Sequence, residues 1–257
     1  MFNPGLSVIP QFKPLGFFYG TDCFGPVPEH RHLDNIRASL LNPSCQGPDI
    51  VYAIAMDVGK KKDKELLEHL HLLFGAVVFT SGKLGEEPIR SQGHVHAISP
   101  LSGTSTPELY EIWSGKAIIY AQEFDKDIPG RCFAIEAGPG ERVLVPPGWA
   151  HCTISADSSQ PLAFGAWCVR EYGFVYDGVR AHGGLAFFPV WENGNLVFRK
   201  NPSYGNCELV RKPPENYAQL KMDDRSPIYT KFEEDPWLLK FIVHPEEYQS
   251  VWETFVP

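Results

Sequence analysis

Three short motifs hold the side chains of this sequence that could do chemistry. They are Gly93-His94-Val95-His96, Pro107-Glu108-Leu109-Tyr110 and Pro146-Pro147-Gly148-Trp149-Ala150-His151. Alternate side chains of a strand share a face, so His94 and His96 can reach one ion. The same rule places Glu108 and Tyr110 on one face and Glu111 on the other. Three imidazoles and one carboxylate suit Fe, Mn, Ni, Co or Zn and leave positions open for a substrate. The motifs predict one divalent metal per chain, bound by His94, His96, Glu108 and His151.

Two other His-x-His pairs provide an internal comparison. His30 and His32 lie in a charged segment, residues 30–41, that is predicted to be helical, and residues two apart on a helix point in different directions. His69 and His71 end an amphipathic helical segment. Neither pair is followed by a Glu-x-Tyr strand and a Pro-Pro-x-x-x-His turn. We therefore predict that neither pair binds the metal.

The composition is that of an ordinary globular protein. Hydrophobic residues make up 43% of the 257 residues and charged residues 21%, which fits one sizeable core. The net charge of −8, without a basic stripe, argues against nucleic acid as a partner. No run approaches the ~20 apolar residues that span a bilayer, so no membrane partner is expected.

The cysteines and the first residues bear on the compartment. The six cysteines form no Cys-x-x-Cys pair, which argues against a zinc ribbon or a thioredoxin motif. The first five residues lack the basic and apolar segments of a signal peptide. A reducing cytoplasm is the expected location.

The elements that must position the motifs are short strands. The 23 glycines and 23 prolines punctuate apolar runs, and Asn193-Gly194 predicts a hairpin turn. Strands of this kind and number predict an all-β sandwich or barrel. We predict an N-terminal wrap over residues 1–48, a metal-binding barrel over 49–203 and a C-terminal extension over 204–257. A terminal helix over 245–255 would pack its apolar stripe on the barrel; a dimer contact is the alternative.

Between about Val51 and Pro202 the sequence resembles the cupin-type, or archaeal-type, glucose-6-phosphate isomerases. The likeness is carried by the three motifs and by four further segments: Val51-Tyr52, Leu73-Phe74, Gly82-Lys83-Leu84-Gly85 and Glu192-Asn193-Gly194. It implies an all-β cupin jelly-roll barrel with a few peripheral helices and a homodimer. It also implies a metal, iron first and Mn, Ni or Zn as alternatives, and a sugar phosphate substrate.

The resemblance also implies roles for single residues. The four predicted metal ligands match the ligands of the family. The substrate contacts would be Tyr52, Ser91, Gly93 and Tyr110, and Tyr176 would be a catalytic tyrosine near the substrate. Ser91 replaces a threonine and keeps its hydroxyl, whereas Val77 replaces another threonine and loses a phosphate hydrogen bond. Arg90 is a candidate to supply charge instead, unless strand alternation turns it outward.

The implied reaction interconverts glucose 6-phosphate and fructose 6-phosphate. A metal that binds the C1 and C2 oxygens would polarise the carbonyl and stabilise developing charge. Glu108 would move the proton in an enediol route and only hold the metal in a hydride shift, and the sequence leaves both routes open. Two other classes are compatible with the ligands: a cupin dioxygenase with a three-His, one-Glu iron site, and a non-catalytic sugar-binding cupin.

Overall fold

The computed structural model describes residues 2–257, most of which form short strands. The apolar runs between Gly and Pro positions become the strands, because β-branched and aromatic side chains pack well on a pleated surface. In chain order the strands of this range, β1 to β20, are Val8–Phe12, Leu15–Tyr19, Cys23–Phe24, Glu29–His32, Ile50–Met56, Gly59–Lys60, Leu72–Phe79, Lys83–Leu84, Glu87–Pro88, Val95–His96, Glu108–Ser114, Ala117–Gln122, Cys132–Ala137, Arg142–Val145, Ala150–Ser155, Leu162–Val169, Phe174–Val175, Phe187–Glu192, Asn195–Lys200 and Leu209–Lys212.

Two larger sheets form the barrel. The six-stranded sheet has the order β14-β11-β16-β7-β5-β4, and the four-stranded sheet has the order β15-β12-β13-β20. Their pairings are antiparallel except that β20 runs parallel to β13. The inner faces share one buried apolar cluster, which includes Val77, Phe79 and Phe164 from the first sheet and Phe133 and Ile135 from the second. The prediction of an all-β cupin barrel with a few peripheral helices is confirmed.

The helices are short and lie at the periphery. The α-helices, α1 to α6, are Leu33–Ile36, Lys64–His69, Asp177–Ala181, Ile228–Glu234, Lys240–Val243 and Gln249–Trp252, and the 3-10 turns are Arg37–Ser39, Lys61–Asp63, Ala218–Leu220, Pro236–Leu239 and Pro245–Tyr248. No helix among residues 2–257 is long and apolar enough to cross a membrane.

The C-terminal segment covers the outer face of the six-stranded sheet. Trp167 on β16 packs against two aromatic residues of α4, with its ring centroid 5.5 Å from that of Tyr229 and 5.1 Å from that of Phe232. The Trp167 indole N–H also donates to the carbonyl of Ile228, at 3.1 Å. A second apolar core therefore lies between this sheet and the C-terminal helices, outside the barrel.

Two helix predictions are wrong. Residues 29–32 form β4, which pairs with β5 at the edge of the six-stranded sheet, and only a short helix follows from Leu33. Pairing with a neighbouring strand overrides the local helix pattern there, which sequence alone does not reveal. The terminal helix is divided into a 3-10 turn, Pro245–Tyr248, and α6. Its apolar residues do pack on the outer core.

The hairpin formed by β18 and β19 agrees with its prediction. The strands pair from Phe187 with Lys200 to Glu192 with Asn195, and Asn193 and Gly194 form the turn with φ of 50° and 81°. Positive φ at both central residues is the geometry that an Asn-Gly turn favours. The domain boundaries at 48 and 203 stay a prediction. β4 lies before residue 48 and β20 lies after residue 203, and both pair with strands of the barrel.

Candidate metal and substrate site

The four candidate ligands come together where two strands meet. His94 and His151 exchange backbone hydrogen bonds of 3.0 and 2.9 Å, so their side chains start from adjacent backbone. His96 ends β10, and Glu108 is the first residue of β11. One ligand atom from each of the four residues lies within 4.8 Å of the other three. Strand alternation and strand pairing thus gather the three imidazoles and the carboxylate around one point.

Backbone carbonyls orient two of the imidazoles. The Nδ1 atom of His96 lies 2.9 Å from the carbonyl of Thr106, and that of His151 lies 3.0 Å from the carbonyl of Trp149. Such contacts fix the tautomer and leave Nε2 free for a metal. The Nε2 atom of His94 is buried and has no hydrogen-bond partner in the described chain, and that of His96 is buried 3.2 Å from Glu108 Oε2. Buried nitrogens of this kind fit a bound cation, because an unpaired polar atom is costly inside a protein.

Glu108 is held by several neighbours. Its Oε2 atom accepts a hydrogen bond of 2.6 Å from the Tyr110 hydroxyl and lies 3.2 Å from His151 Nε2. Burial would raise the pKa of Glu108, but the hydrogen bonds from His151 and His96 hold it well below its usual value. Burial, followed by the charges of His151 and His96, lowers the pKa of His94. An ionised carboxylate and a neutral imidazole are the forms that bind metals.

A narrow cleft of about 60 Å³, partly open to solvent, lies beside this group. One wall is the inner face of the six-stranded sheet, and it extends from Glu108 and Tyr110 on β11 to Tyr52 on β5. Other lining residues are Ser91, Gly93, His94 and Tyr176. All the predicted substrate contacts and the predicted catalytic tyrosine therefore line one cleft. His96 and His151 are buried and are not among the lining residues.

The lining residues differ in what they can offer a substrate. The Ser91 hydroxyl accepts from the backbone N–H of Thr153, at 3.0 Å, and keeps its own proton to donate. The Tyr110 hydroxyl already donates to Glu108. Tyr176 lies just before α3, with its ring centroid 6.0 Å from that of His94 and the Arg180 guanidinium 4.8 Å from its own. Of these three, Ser91 and Tyr176 are better placed than Tyr110 to contact a substrate.

The expectation that Arg90 supplies charge to the cleft is wrong. Arg90 is 2% exposed, its Nε donates to Glu87 at 2.8 Å, and its guanidinium also donates to the carbonyls of Ser39 and Ser91. Strand alternation turns it away from the cleft. The cation that does line the cleft is Arg31 on β4. Because residues 30–41 were predicted to be a helix, Arg31 was not recognised as a candidate. On a strand, alternation places the Arg31 side chain on the face opposite to those of His30 and His32.

The comparison pairs lie apart from this group and have other partners. His30 Nε2 lies 3.1 Å from the carbonyl of Leu15, and His32 Nδ1 lies 3.1 Å from the Asp49 carboxylate. His71 Nδ1 lies 2.7 Å from Glu171. These contacts give the imidazoles of His30, His32 and His71 polar partners other than a metal ion.

Comparisons with known proteins agree with this geometry. The family model for glucose-6-phosphate isomerase (GPI) matches residues 39–205, which is more than half of the chain. Glucose-6-phosphate isomerase of Thermococcus litoralis is 31% identical over 159 residues, which cover 62% of this chain and 75% of that protein. The Thermococcus kodakarensis protein of the same name is 29% identical over 179 residues, covering 68% and 86%. That of Pyrococcus horikoshii is 31% identical over 135 residues, covering 52% and 66%.

Among solved structures, vicilin from Corylus avellana (hazelnut) matches with a TM-score of 0.37 and 10% identity, covering 51% of this chain and 33% of that chain. An oxalate oxidase matches with a TM-score of 0.36 and 13% identity, covering 48% and 54%. At these TM-scores neither likeness carries an argument about function. The extent of the family match, together with the clustered histidines and glutamate, shows that this chain belongs to the glucose-6-phosphate isomerase family.

Proposed function

We propose that this chain interconverts glucose 6-phosphate and fructose 6-phosphate with one divalent metal bound by His94, His96, Glu108 and His151. The observation that supports the proposal most strongly is the buried cluster of four potential ligand atoms within 4.8 Å of one another, in which His94 Nε2 has no hydrogen-bond partner in the described chain. They lie beside a cleft whose residues belong to the family-matching region apart from Arg31. When bound, the metal would supply a Lewis acid for the oxygens at C1 and C2.

The protein side chains would orient the substrate and exclude water. Ile54, Met56, Val77 and Phe79 form an apolar wall of the cleft, which lowers the local dielectric around the reacting atoms. Ser91 and Tyr176 would hold sugar hydroxyls by donating hydrogen bonds. Glu108 would act as a ligand, because its Oε2 already accepts from Tyr110 and approaches His151.

Removal of single ligands tests the metal site. The variants His96→Ala and His151→Ala are expected to lose most of their metal and at least 100-fold in isomerase activity. His30→Ala and His69→Ala are matched controls that should keep both. The measurements are elemental analysis after purification and a coupled assay with fructose 6-phosphate. Full metal content in both ligand variants would refute the assignment of the ligands.

Reconstitution separates isomerase from dioxygenase chemistry. Chelation should abolish turnover, and because a Lewis acid needs no redox change, Zn or Ni should restore part of it, as should Fe or Mn. If iron alone restores turnover and oxygen is consumed in step with substrate, the dioxygenase alternative is favoured. Metal binding without turnover of any sugar phosphate would favour the sugar-binding alternative.

Three further predictions accompany the proposal. Iron is proposed as the native metal, and elemental analysis of protein from unsupplemented cells would identify it. A homodimer is proposed, and light scattering in solution would measure it. A cytoplasmic location is proposed, which agrees with six free cysteines, five of them buried, in the described chain.

A further inference from the structure

We propose that Arg31 binds the anionic end of the substrate, so that its charge, rather than a threonine hydroxyl, selects a phosphorylated sugar. This inference rests on the proposed function and identifies which residue gives the site its preference for an anion. The family match begins at residue 39, so the resemblance assigns no role to Arg31.

The first support is the position of Arg31 on the sheet. Arg31 pairs with Tyr52 in the β4–β5 ladder, and both residues line the cleft. Glu108 lies on β11, and β4 is separated from β11 by three strands of the same sheet, β16, β7 and β5. The metal ligand and the guanidinium therefore approach the cleft from opposite sides. An open-chain hexose phosphate likewise carries its reacting carbonyl at one end and its phosphate at the other.

The second support is the charge of the cleft. Arg31 is the one Lys or Arg side chain among the lining residues of the described chain, and the neighbouring strands β5 and β7 line the cleft with apolar side chains such as Ile54 and Val77. A phosphate dianion that enters this cleft needs a cation, because burying an unpaired charge is costly. The planar guanidinium can donate two parallel hydrogen bonds to phosphate oxygens. The hydroxyls of Tyr52 and Tyr176, which also line the cleft, can complete the shell.

The third support is that Arg31 can be released to a ligand. Its side chain is 28% exposed, and within residues 2–257 its one ion pair is with Glu29, at 2.7 Å, whose side chain is 63% exposed. An exposed ion pair of this kind contributes little and is readily exchanged. By contrast, the Arg90 side chain is buried and bonded to the buried Glu87, so its guanidinium is not available. The burial of Tyr176 raises its pKa, and the positive charge of Arg31 opposes that rise, which agrees with the proximity of the two side chains.

The test compares the binding of a phosphorylated and an unphosphorylated sugar alcohol that cannot react. Calorimetry on the metal-loaded wild type should show that glucitol 6-phosphate binds and that glucitol binds at least 10-fold more weakly. In Arg31→Gln the dissociation constant for glucitol 6-phosphate should rise about 10- to 100-fold, the loss expected for charge-assisted hydrogen bonds. Metal content should not change, because Arg31 is not one of the proposed ligands.

Three further variants sharpen the test. Arg199→Gln removes an equivalent positive charge from an exposed ion pair away from the cleft and should leave binding unchanged. Glu29→Gln frees Arg31 and should tighten binding about two- to fivefold. Arg31→Lys keeps the charge but not the paired donors and should lie between wild type and Arg31→Gln. If Arg31→Gln does not fold, Glu29→Gln and Arg31→Lys still decide the question.

The outcomes separate this inference from the proposed function. If the wild type prefers glucitol 6-phosphate and the Arg31 and Glu29 variants keep that preference unchanged, the role of Arg31 is refuted and the proposed function stands. If the wild type binds the two sugar alcohols equally, the sugar phosphate assignment fails and the role of Arg31 fails with it. Changes in opposite directions for Arg31→Gln and Glu29→Gln would support the role of Arg31.

Discussion

The buried carboxylate of Glu111 should make the protein less stable as the pH rises. Glu111 is fully buried on β11, and its Oε1 accepts a hydrogen bond of 2.9 Å from the backbone N–H of Ile228. Its Oε2 has no hydrogen-bond partner in the described chain, and Arg142 Nε lies 3.9 Å from Oε1. Burial raises the pKa of Glu111 from 4.5 to about 7. A protonated carboxyl is therefore favoured in the folded state, and ionisation opposes folding.

The sign and the size follow from proton linkage. Because the folded pKa lies above the unfolded value, the stabilising protonated state is fully present below about pH 4.5 and is lost as the pH rises through about 7. With these two pKa values, the contribution of Glu111 becomes less favourable by about 2.5 kcal/mol between pH 5 and pH 8. Glu111→Gln keeps the shape and cannot ionise, so it should lack this loss.

The assay is urea unfolding of wild type and Glu111→Gln at pH 5 and pH 8, with chelator present so that metal binding does not contribute. The free energy of unfolding of the wild type should fall by about 2.5 kcal/mol more than that of the variant between the two pH values. Other titrating groups affect both proteins and cancel in this difference. Equal pH dependence in the two proteins would refute the argument.

Two other substitutions test the packing beside His94 and the packing of α4 in the outer core. Gly93→Ala places a Cβ 2.9 Å from Leu185 Cδ1 at a φ of +92°. The free energy of unfolding in urea should therefore fall by about 1–3 kcal/mol, and the metal content should fall because the adjacent His94 shifts. Unchanged stability and metal content would contradict this. Phe232→Ala leaves a cavity beside Trp167 and should lower the free energy of unfolding in urea by about 3–5 kcal/mol, measured on metal-free wild type and variant. A loss below 1 kcal/mol would show that α4 is not part of the folded core.

Strand alternation predicted the local parts of the metal group, and the family resemblance joined the three motifs, since His94 pairs with the distant His151. A His-x-His pair on a strand needs only the period of two to bring its imidazoles together, and the Glu-x-Tyr strand obeys the same rule. The same alternation turned Glu111 to the opposite face, and in the structure Glu111 contacts the C-terminal segment. The Asn193-Gly194 turn is also local, and it forms the predicted hairpin between β18 and β19.

The sequence failed where a contact depends on distant pairing. Residues 30–32 form a strand because β5 is available at the edge of the sheet, and nothing within residues 30–41 records that partner. This wrong helix prediction also affected the predicted site, because Arg31 was not considered and Arg90 was named as the candidate cation. The outer core was not predicted either, because it depends on contacts between Trp167 and residues about sixty positions later in the chain.

The boundary of the homology and the boundary of the folding unit do not coincide in this chain. The family match ends at residue 205, yet the aromatic face that Phe74 and Trp167 present outside the barrel is covered by Tyr229 and Phe232. A fragment trimmed to residues 39–205 would expose this face to water as one contiguous apolar patch and would be prone to aggregate. It would also lose β4 and with it Arg31. Studies of this protein should therefore use the full sequence.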